Sequence, residues 1–321
     1  MKTRRLGRTG IAVSEVGFGA WGIGATMWRG VPDDDALSAL RAAADAGVTF
    51  IDTALAYGDG HSEQLIAKAA TGAVVATKIP PQDSKWPAAP DSNIADAFPA
   101  AHVRRSTETS LRNLGQDTIA VQQLHVWQDH WLDQIEWGTT RREMEKLVAE
   151  GKVRHWGISI NAHAPETALR AFADPLFSVA QVIYNIFDRS PEAELFPLAR
   201  EKNLGIIVRV PFDEGTLSGA VRADTVFPAG DWRHRYFRGD RRKEAAEHAD
   251  ALAGFLGAEA KTLPELALRF VLSHPAVSTV IPGMRRVEHA RANAAVSDGR
   301  LLSPGLLERL KAHAWSKNWH D

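Results

Sequence analysis

FIDTALAYGDG, residues 50–60, carries an apolar run that stops at a carboxylate, Asp52, and continues to a phenol, Tyr57, one of three tyrosines in the chain. It reads as a buried strand that delivers an acid and a phenol to nearly the same place. Similar runs rich in Val and Ile recur on both sides of it. Strands are expected at 16–22 (VGFGAWG), 49–53 (TFIDT), 74–78 (VVATK), 119–125 (IAVQQLH), 155–159 (HWGIS), 180–184 (AQVIY), 206–210 (IIVRV) and 279–282 (TVIP). Amphipathic segments lie between them. Residues 34–46 come after a Pro-Asp start and stop at Gly47, while 102–114 and 139–149 stop at Gly115 and Gly151. The strand spacing is too wide for hairpins and suits parallel crossovers. This predicts an α/β fold, a single (β/α)8 TIM barrel over residues 1–321, with a doubly wound open sheet as the main rival. Ahead of the barrel, RRL-GRTG-IAV predicts a short β-hairpin around residues 7–10, placed at the barrel bottom.

The bulk composition narrows the function classes. The chain has 321 residues, 45% hydrophobic and 24% charged, with a net charge of -1. Those are average soluble values, with no general attraction to nucleic acid or to an anionic membrane. With no cysteine there is no disulfide framework, thiolate zinc site or iron–sulfur cluster, which fits a reducing cytoplasm. The basic start does not read as a signal peptide, because Gly7, Gly10, Ser14, Glu15 and Gly17 interrupt any apolar region. No stretch approaches the roughly 20 apolar residues of a membrane span.

Two connections are long. Residues 79–100 are Pro-rich, and 212–243 mix aromatics with arginines. Both come after strand ends, the active-site side of a barrel, and their Trp and Phe content favours packed over disordered loops. Gly17-Phe-Gly-Ala-Trp-Gly22 matches G-x-G-x-x-G, but its glycines lie inside a strand, and Gly30 and Pro32 interrupt the segment where a helix should open. Close backbone approach explains them better than a dinucleotide fingerprint.

In the barrel, Asp52, Lys78 and His125 close three consecutive strands, with Tyr57 in the loop after the first. Each has a plain structural alternative. Asp52 suits a cap, Lys78 a solvated loop cation, His125 a half-buried histidine and Tyr57 a rim aromatic. Their coincidence at three neighbouring strand ends favours one site. Reduction of a carbonyl by hydride transfer makes an alkoxide that needs a proton. A phenol, with a pKa of about 10, holds its proton at neutral pH, and a nearby ammonium makes it a better acid. Asp52 supplies the counter-charge of Lys78, and His125 can hydrogen-bond the substrate oxygen.

With these residues in place, the sequence resembles the aldo-keto reductase superfamily nearly end to end. The likeness runs through LGRTGIAVSEVGFGAWGIG, DTALAYGDGHSE, VVATK, QLHVW, GKVRHWGIS, QVIYN, RVPFDEGTLSG and IPGMRRVEHARANAAV. Asp52, Tyr57, Lys78 and His125 match the family's catalytic tetrad, in which the tyrosine is the general acid. The resemblance implies an extended NADP(H) across the barrel mouth. Ser159, Asn161 and Gln181 would hold the nicotinamide amide, and Arg209 would stack where many members place an aromatic ring. Backbone around Pro211, Phe212, Gly215, Leu217 and Ser218 would wrap the pyrophosphate. Gly283, Arg285, His289 and Asn293 would face the adenosine end. Ile160 intervenes where many members carry Asn directly after Ser, and His289 stands where many NADP-preferring members carry Arg. Arg285 keeps NADPH as the expected cofactor, with NADH use as the alternative.

Substrate walls are expected from Trp21, Trp86, Trp127 and Trp232. Aldehydes, ketones and sugar faces all suit such a pocket. Polyol oxidation, a metal-dependent barrel enzyme using His125, Asp129 and His130, and a non-enzymatic nicotinamide-binding regulatory subunit are the competing readings. No metal is expected, and a monomer is the default from the family.

Overall fold

The chain opens with an antiparallel hairpin, β1 (Thr3–Arg5) against β2 (Ala12–Ser14), with Arg4 facing Val13. The computed structural model describes residues 1–25, 31–315 and 317–319. After the hairpin come β3 (Phe18–Gly19), β4 (Phe50–Asp52), β5 (Val74–Ile79), β6 (Ile119–Leu124), β7 (Val153–Ser159), β8 (Phe177–Ile183), β9 (Gly205–Arg209) and β10 (Thr279–Val280). These eight form one parallel sheet in sequence order. Parallel bridges from Val16 to Val280 and from Gly19 to Gly283 join its two edges. The sheet therefore curls into the (β/α)8 barrel, and the open-sheet rival fails.

Closure also shortens the first barrel strand. The expected run 16–22 is ladder only at Phe18–Gly19, and Trp21–Ile23 turns into a 3-10 helix. Gly17 N donates to Val280 O at 2.8 Å and Gly19 N to Pro282 O at 3.0 Å. A Cβ on Gly19 would lie 2.5 Å from Ile281 O. The glycine motif is thus the seam of the barrel, where two backbones approach too closely for a side chain. Residues 26–30, which include the Gly30 of the expected break, lie outside the described residues.

Helices cover the outside at Asp33–Asp45, His61–Ala69, Ala100–Leu114, Trp137–Ala149, Leu195–Lys202, Leu263–Leu272 and Val287–Ala295. Their ends fall within about two residues of the sequence expectation where one was made. Gly115 stops its helix in the left-handed region at φ 62°. One crossover departs from the β/α pattern. Between β7 and β8 the chain makes only 3-10 turns, Pro165–Ala168 and Ala171–Ala173. Pro165 opens the first of these turns, and neither it nor Pro175 carries an amide donor.

The hairpin plugs the barrel bottom. Leu6 and Val13, both fully buried, join Phe50, Ala76, Val121, Val179, Ile207 and Ile281 in one apolar cluster. A Cβ on Gly205 would lie 2.7 Å from Leu6 Cγ, so the plug needs glycine at the start of β9. Arg8 pins the turn by donating to the Phe177 carbonyl, and its amide donates to Asn203 O at 2.6 Å.

Both long loops are packed. Ser92 O accepts from Trp131 Nε1 at 3.0 Å and Gln134 Nε2 at 3.2 Å, and Ala88 O accepts from Gln128 Nε2 at 2.7 Å. The 212–243 connection has its own small core of Val221, Phe227, Tyr236 and Phe237, against which Trp232 and Trp319 pack. In the second loop the aromatics that predicted order are the side chains that provide it, while the first is held by Gln128, Trp131 and Gln134 from outside.

Candidate active site

β4, β5 and β6 are neighbours in the sheet, so their C-terminal ends meet at the barrel mouth. Lys78, fully buried, uses all three of its ammonium protons there. Nζ donates to Asp52 Oδ1 at 2.5 Å, to Thr53 O at 2.7 Å and to the Tyr57 phenol oxygen at 3.4 Å. His125 comes just after β6, its ring 5.8 Å from the Tyr57 ring and nearly edge-on to it. The four residues expected together are together.

The electrostatics refine the expectation for Tyr57. Burial raises the phenol's pKa, and Asp52 adds to the rise; Lys78 and Arg209 pull it down without overcoming burial. The phenol is therefore held protonated, beside an ammonium that favours negative charge on its oxygen. Burial, then Lys78 and Arg209, push His125 well below its ordinary range, so the imidazole is neutral. His125 Nδ1 is buried without a partner among the described residues. The arrangement holds a proton on oxygen beside a fixed cation and a neutral hydrogen-bonding ring. It can protonate an oxygen seated between Tyr57 and His125.

Three of the four expected substrate-wall tryptophans reach this mouth. Trp21 lies 6.3 Å from Tyr57, Trp232 lies 5.2 Å from Trp21, and Trp86 meets His125 edge-on at 4.5 Å. Trp127 does not. It is fully buried in the core, edge-on to Trp131, Trp137 and Phe177, with Nε1 donating to Asp129 Oδ1 at 2.9 Å. Residues one apart in an extended chain point to opposite sides, and two steps beyond His125 the chain has already turned into the loop.

Of the residues expected at the nicotinamide, Ser159 and Gln181 stand opposite each other across β7 and β8. Asn161 is a correction. Its Nδ2 donates to Trp127 O at 2.7 Å and its Oδ1 accepts from Ala88 N at 3.4 Å, so its amide clasps two loops. Ile160 occupies the position directly after Ser159. Its own backbone takes the rim position, with N donating to Gln181 O at 2.9 Å and O accepting from Arg209 Nη2 at 3.1 Å. Arg209 ends β9, and burial depresses its pKa.

After Arg209 the chain turns sharply. Pro211 and Leu217 are buried, and Phe212, half-buried, packs on the core. Glu214 and Gly215 adopt φ of 57° and 109°, and Ser218 Oγ donates to Gly215 O at 2.5 Å. Burial pushes the Glu214 carboxyl up to about 8. At the far side of the mouth, Arg285 lies along Gly22, where a Cβ would sit 2.7 Å from Arg285 Cδ. A Cβ on Gly283 would meet open space. Arg285 depresses the pKa of His289, after burial. Asn293 lies on the buried face of its helix with Ala290 and Ala294.

Asp129 and His130, the tempting metal ligands, are occupied in loop packing: Asp129 accepts from Arg170 N and Ala171 N, and His130 bonds Ser92 O. Among the described residues no group of three His, Cys, Asp or Glu is placed to hold a metal ion.

Sequence reasoning missed two features. Gln123 sits inside the barrel against Asp52 and Gln181; the signal was a glutamine two residues before His125, on the same strand face. Lys317 reaches Asp213 from the C-terminal tail, a contact that no local pattern announces.

The Aldo/keto reductase family model matches residues 15–314. The chain is 30% identical over 314 residues to aldo-keto reductase YhdN of Bacillus subtilis (strain 168), covering 94% of this chain and 91% of that protein. Among solved structures, the glycerol dehydrogenase AKR11B4 from Gluconobacter oxydans superposes with a TM-score of 0.78 at 27% identity, covering 97% of this chain and 94% of that one. An aldo-keto reductase from Klebsiella pneumoniae in complex with NADPH gives 0.70 at 26% identity, covering 99% and 98%.

Proposed function

Since the chain belongs to the aldo/keto reductase family, we propose that it is an NADP(H)-dependent oxidoreductase that reduces an aldehyde or ketone, sugar-like carbonyls included, with Tyr57 as proton donor. The observation that carries this reading is the Lys78 ammonium, shared among Asp52, Thr53 O and the Tyr57 phenol at the mouth of the barrel.

The residues present fit the cofactor. Arg209 is a cation whose Nε is buried without a hydrogen-bond partner, so it can meet a π-face or an anion. Gly283 leaves open space beside Arg285, a cation suited to a 2′-phosphate, which favours NADPH over NADH. Ser159 and Gln181 suit the carboxamide, and the backbone of the 211–218 turn suits the pyrophosphate. NADPH, when bound, supplies the hydride from nicotinamide C4.

The chain's own groups do the rest. Trp21, Trp86 and Trp232 hold the carbonyl compound and exclude water. His125, neutral, donates a hydrogen bond that orients the carbonyl oxygen. As negative charge grows on that oxygen, Tyr57 gives it the phenolic proton. Lys78 stabilises the phenolate left behind, and Asp52 keeps Lys78 charged and in place. The cysteine-free chain suits a reducing cytoplasm, and no helix among the described residues is long and apolar enough to cross a membrane.

The test is loss of NADPH absorbance with a reactive aromatic aldehyde, in wild type and Tyr57→Phe. Turnover that collapses in the variant while NADPH binding survives supports the reading. Absence of NADPH binding by the wild type removes it. The likeness to a glycerol dehydrogenase supports a second direction, polyol oxidation, in which Tyr57 as phenolate takes the proton. Turnover of polyols with NADP+ and none of carbonyls with NADPH would select it.

A further inference from the structure

Asp52 is bound from both sides. Its Oδ1 accepts from Lys78, and its Oδ2 accepts from Gln181 Nε2 at 2.7 Å and from Gln123 Nε2 at 3.3 Å. Gln181 Nε2 also donates to Gln123 Oε1 at 3.3 Å. All four residues are at most 2% exposed. Gln123 stands beside Lys78 in the sheet register, on β6 between the strands of Asp52 and Gln181.

The consequence is directional. A glutamine amide presents a donor at one end and an acceptor at the other. Gln123 turns its donor to Asp52 and its acceptor to Gln181. Asp52 and Gln123 together consume the Gln181 amino group. Only the Gln181 carbonyl is then left for a guest at the mouth, and a carbonyl selects a donor such as a carboxamide NH2. A reversed Gln181 would set its carbonyl against the Asp52 carboxylate, which the pair of acceptors forbids.

We infer that Gln123 is a positioning residue: it locks the Gln181 amide so that its carbonyl faces the nicotinamide carboxamide, and it ties that contact to the Asp52–Lys78 pair that serves Tyr57. This deepens the reductase reading and rests on it.

The experiment compares wild type, Gln123→Met and Gln123→Glu by fluorescence titration with two probes. One is NADPH. The other is adenosine 2′,5′-bisphosphate, which keeps the adenosine and 2′-phosphate but has no nicotinamide. Gln123→Met preserves volume and removes both hydrogen bonds. It is expected to weaken NADPH about tenfold, the worth of one hydrogen bond of ordinary strength, and to leave the bisphosphate unchanged. In Gln181→Leu, where nothing remains to be oriented, adding Gln123→Met should weaken NADPH no further. Gln123→Glu, protonated at low pH, can still donate to Asp52 and accept from Gln181. Among the surrounding charged and titratable groups, Asp52, Lys78, Tyr57, His125 and Arg209, it should bind NADPH near wild-type strength at pH 6 and more weakly at pH 8. Equal weakening of both probes, or NADPH affinity unchanged in Gln123→Met, overturns the inference while leaving the reductase reading intact. Absence of NADPH binding by the wild type overturns both. If Gln123→Met fails to fold, the pH response of Gln123→Glu decides alone, and a flat response counts against the inference.

Discussion

Lys317 holds Asp213 through both carboxylate oxygens, at 2.8 and 2.7 Å, across 104 residues of chain. Both side chains are nearly buried, 5% and 2% exposed, and the ammonium also lies 4.0 Å from the Trp315 ring centroid. The tail is thereby clamped to the turn after β9. Lys317→Met leaves Asp213 buried without this ammonium, a change that costs about 3–5 kcal/mol when a buried pair is broken from one side. Denaturant melts should show a clear loss for Lys317→Met and recovery of much of it in Lys317→Met/Asp213→Asn. Additive losses would show that the pair is not coupled. The single variant should also release NADPH faster in stopped-flow displacement.

The roles proposed for Tyr57 and His125 set the expected pH range of reduction. Its phenol is raised above the ordinary value by burial, and His125 is depressed below its own by burial and two cations. Reduction needs the phenol protonated and the imidazole neutral. The first is lost as pH rises through the raised phenol pKa, and the second as pH falls through the depressed imidazole pKa. Reductive kcat is therefore expected to be flat between about pH 6.5 and 10, measured with saturating NADPH. A sharp fall between about pH 7 and 9, below the ordinary phenol range, would take the proton-donor role from Tyr57.

Lys78→Met removes the ammonium and leaves Asp52 only its two glutamine amides. We expect kcat to fall about 10²-fold or more, in the range of a lost acid–base contribution, with NADPH affinity within about threefold of wild type. Titration and steady-state rates check both. A kcat near wild type would exclude Lys78 from proton transfer.

Two tryptophans separate packing from recognition. Trp127→Ala empties a fully buried site and should cost about 3–5 kcal/mol in denaturant melts. Trp86, 45% exposed and edge-on to His125, should be nearly neutral for stability as alanine. Trp86→Ala should instead raise KM for an aromatic aldehyde. The reverse pattern would return Trp127 to the mouth and remove Trp86 from it.

These contrasts mark what the sequence could tell. The barrel was legible because eight apolar runs alternate with helical periods, and Asp52, Lys78 and His125 because each ends such a run. Tyr57 was legible through their company. The fate of Trp127 was not, because an aromatic after a strand end looks the same whether it faces a guest or the core. The place of Asn161 was not legible, because two residues beyond the strand end its amide bonds Trp127 O and Ala88 N, and no spacing announces those partners. Gln123 and Lys317 act through partners 58 and 104 residues distant, and separations of that size leave no local period. The net direction for Tyr57 required burial, which no residue spacing supplies.

The seam at Gly17 and Gly19 also imposes an order of events on the ribosome. The amides that must pair there leave the ribosome long before their acceptors, Val280 O and Pro282 O. Leu6 likewise lacks part of its packing until Gly205 is made. Until those acceptors exist the sheet cannot close, and β3 has no partner on its far edge. Such long-range closure is slow and leaves unpaired edges available to other chains. Ribosome-bound chains halted before residue 280 carry neither acceptor, so the seam cannot close in them.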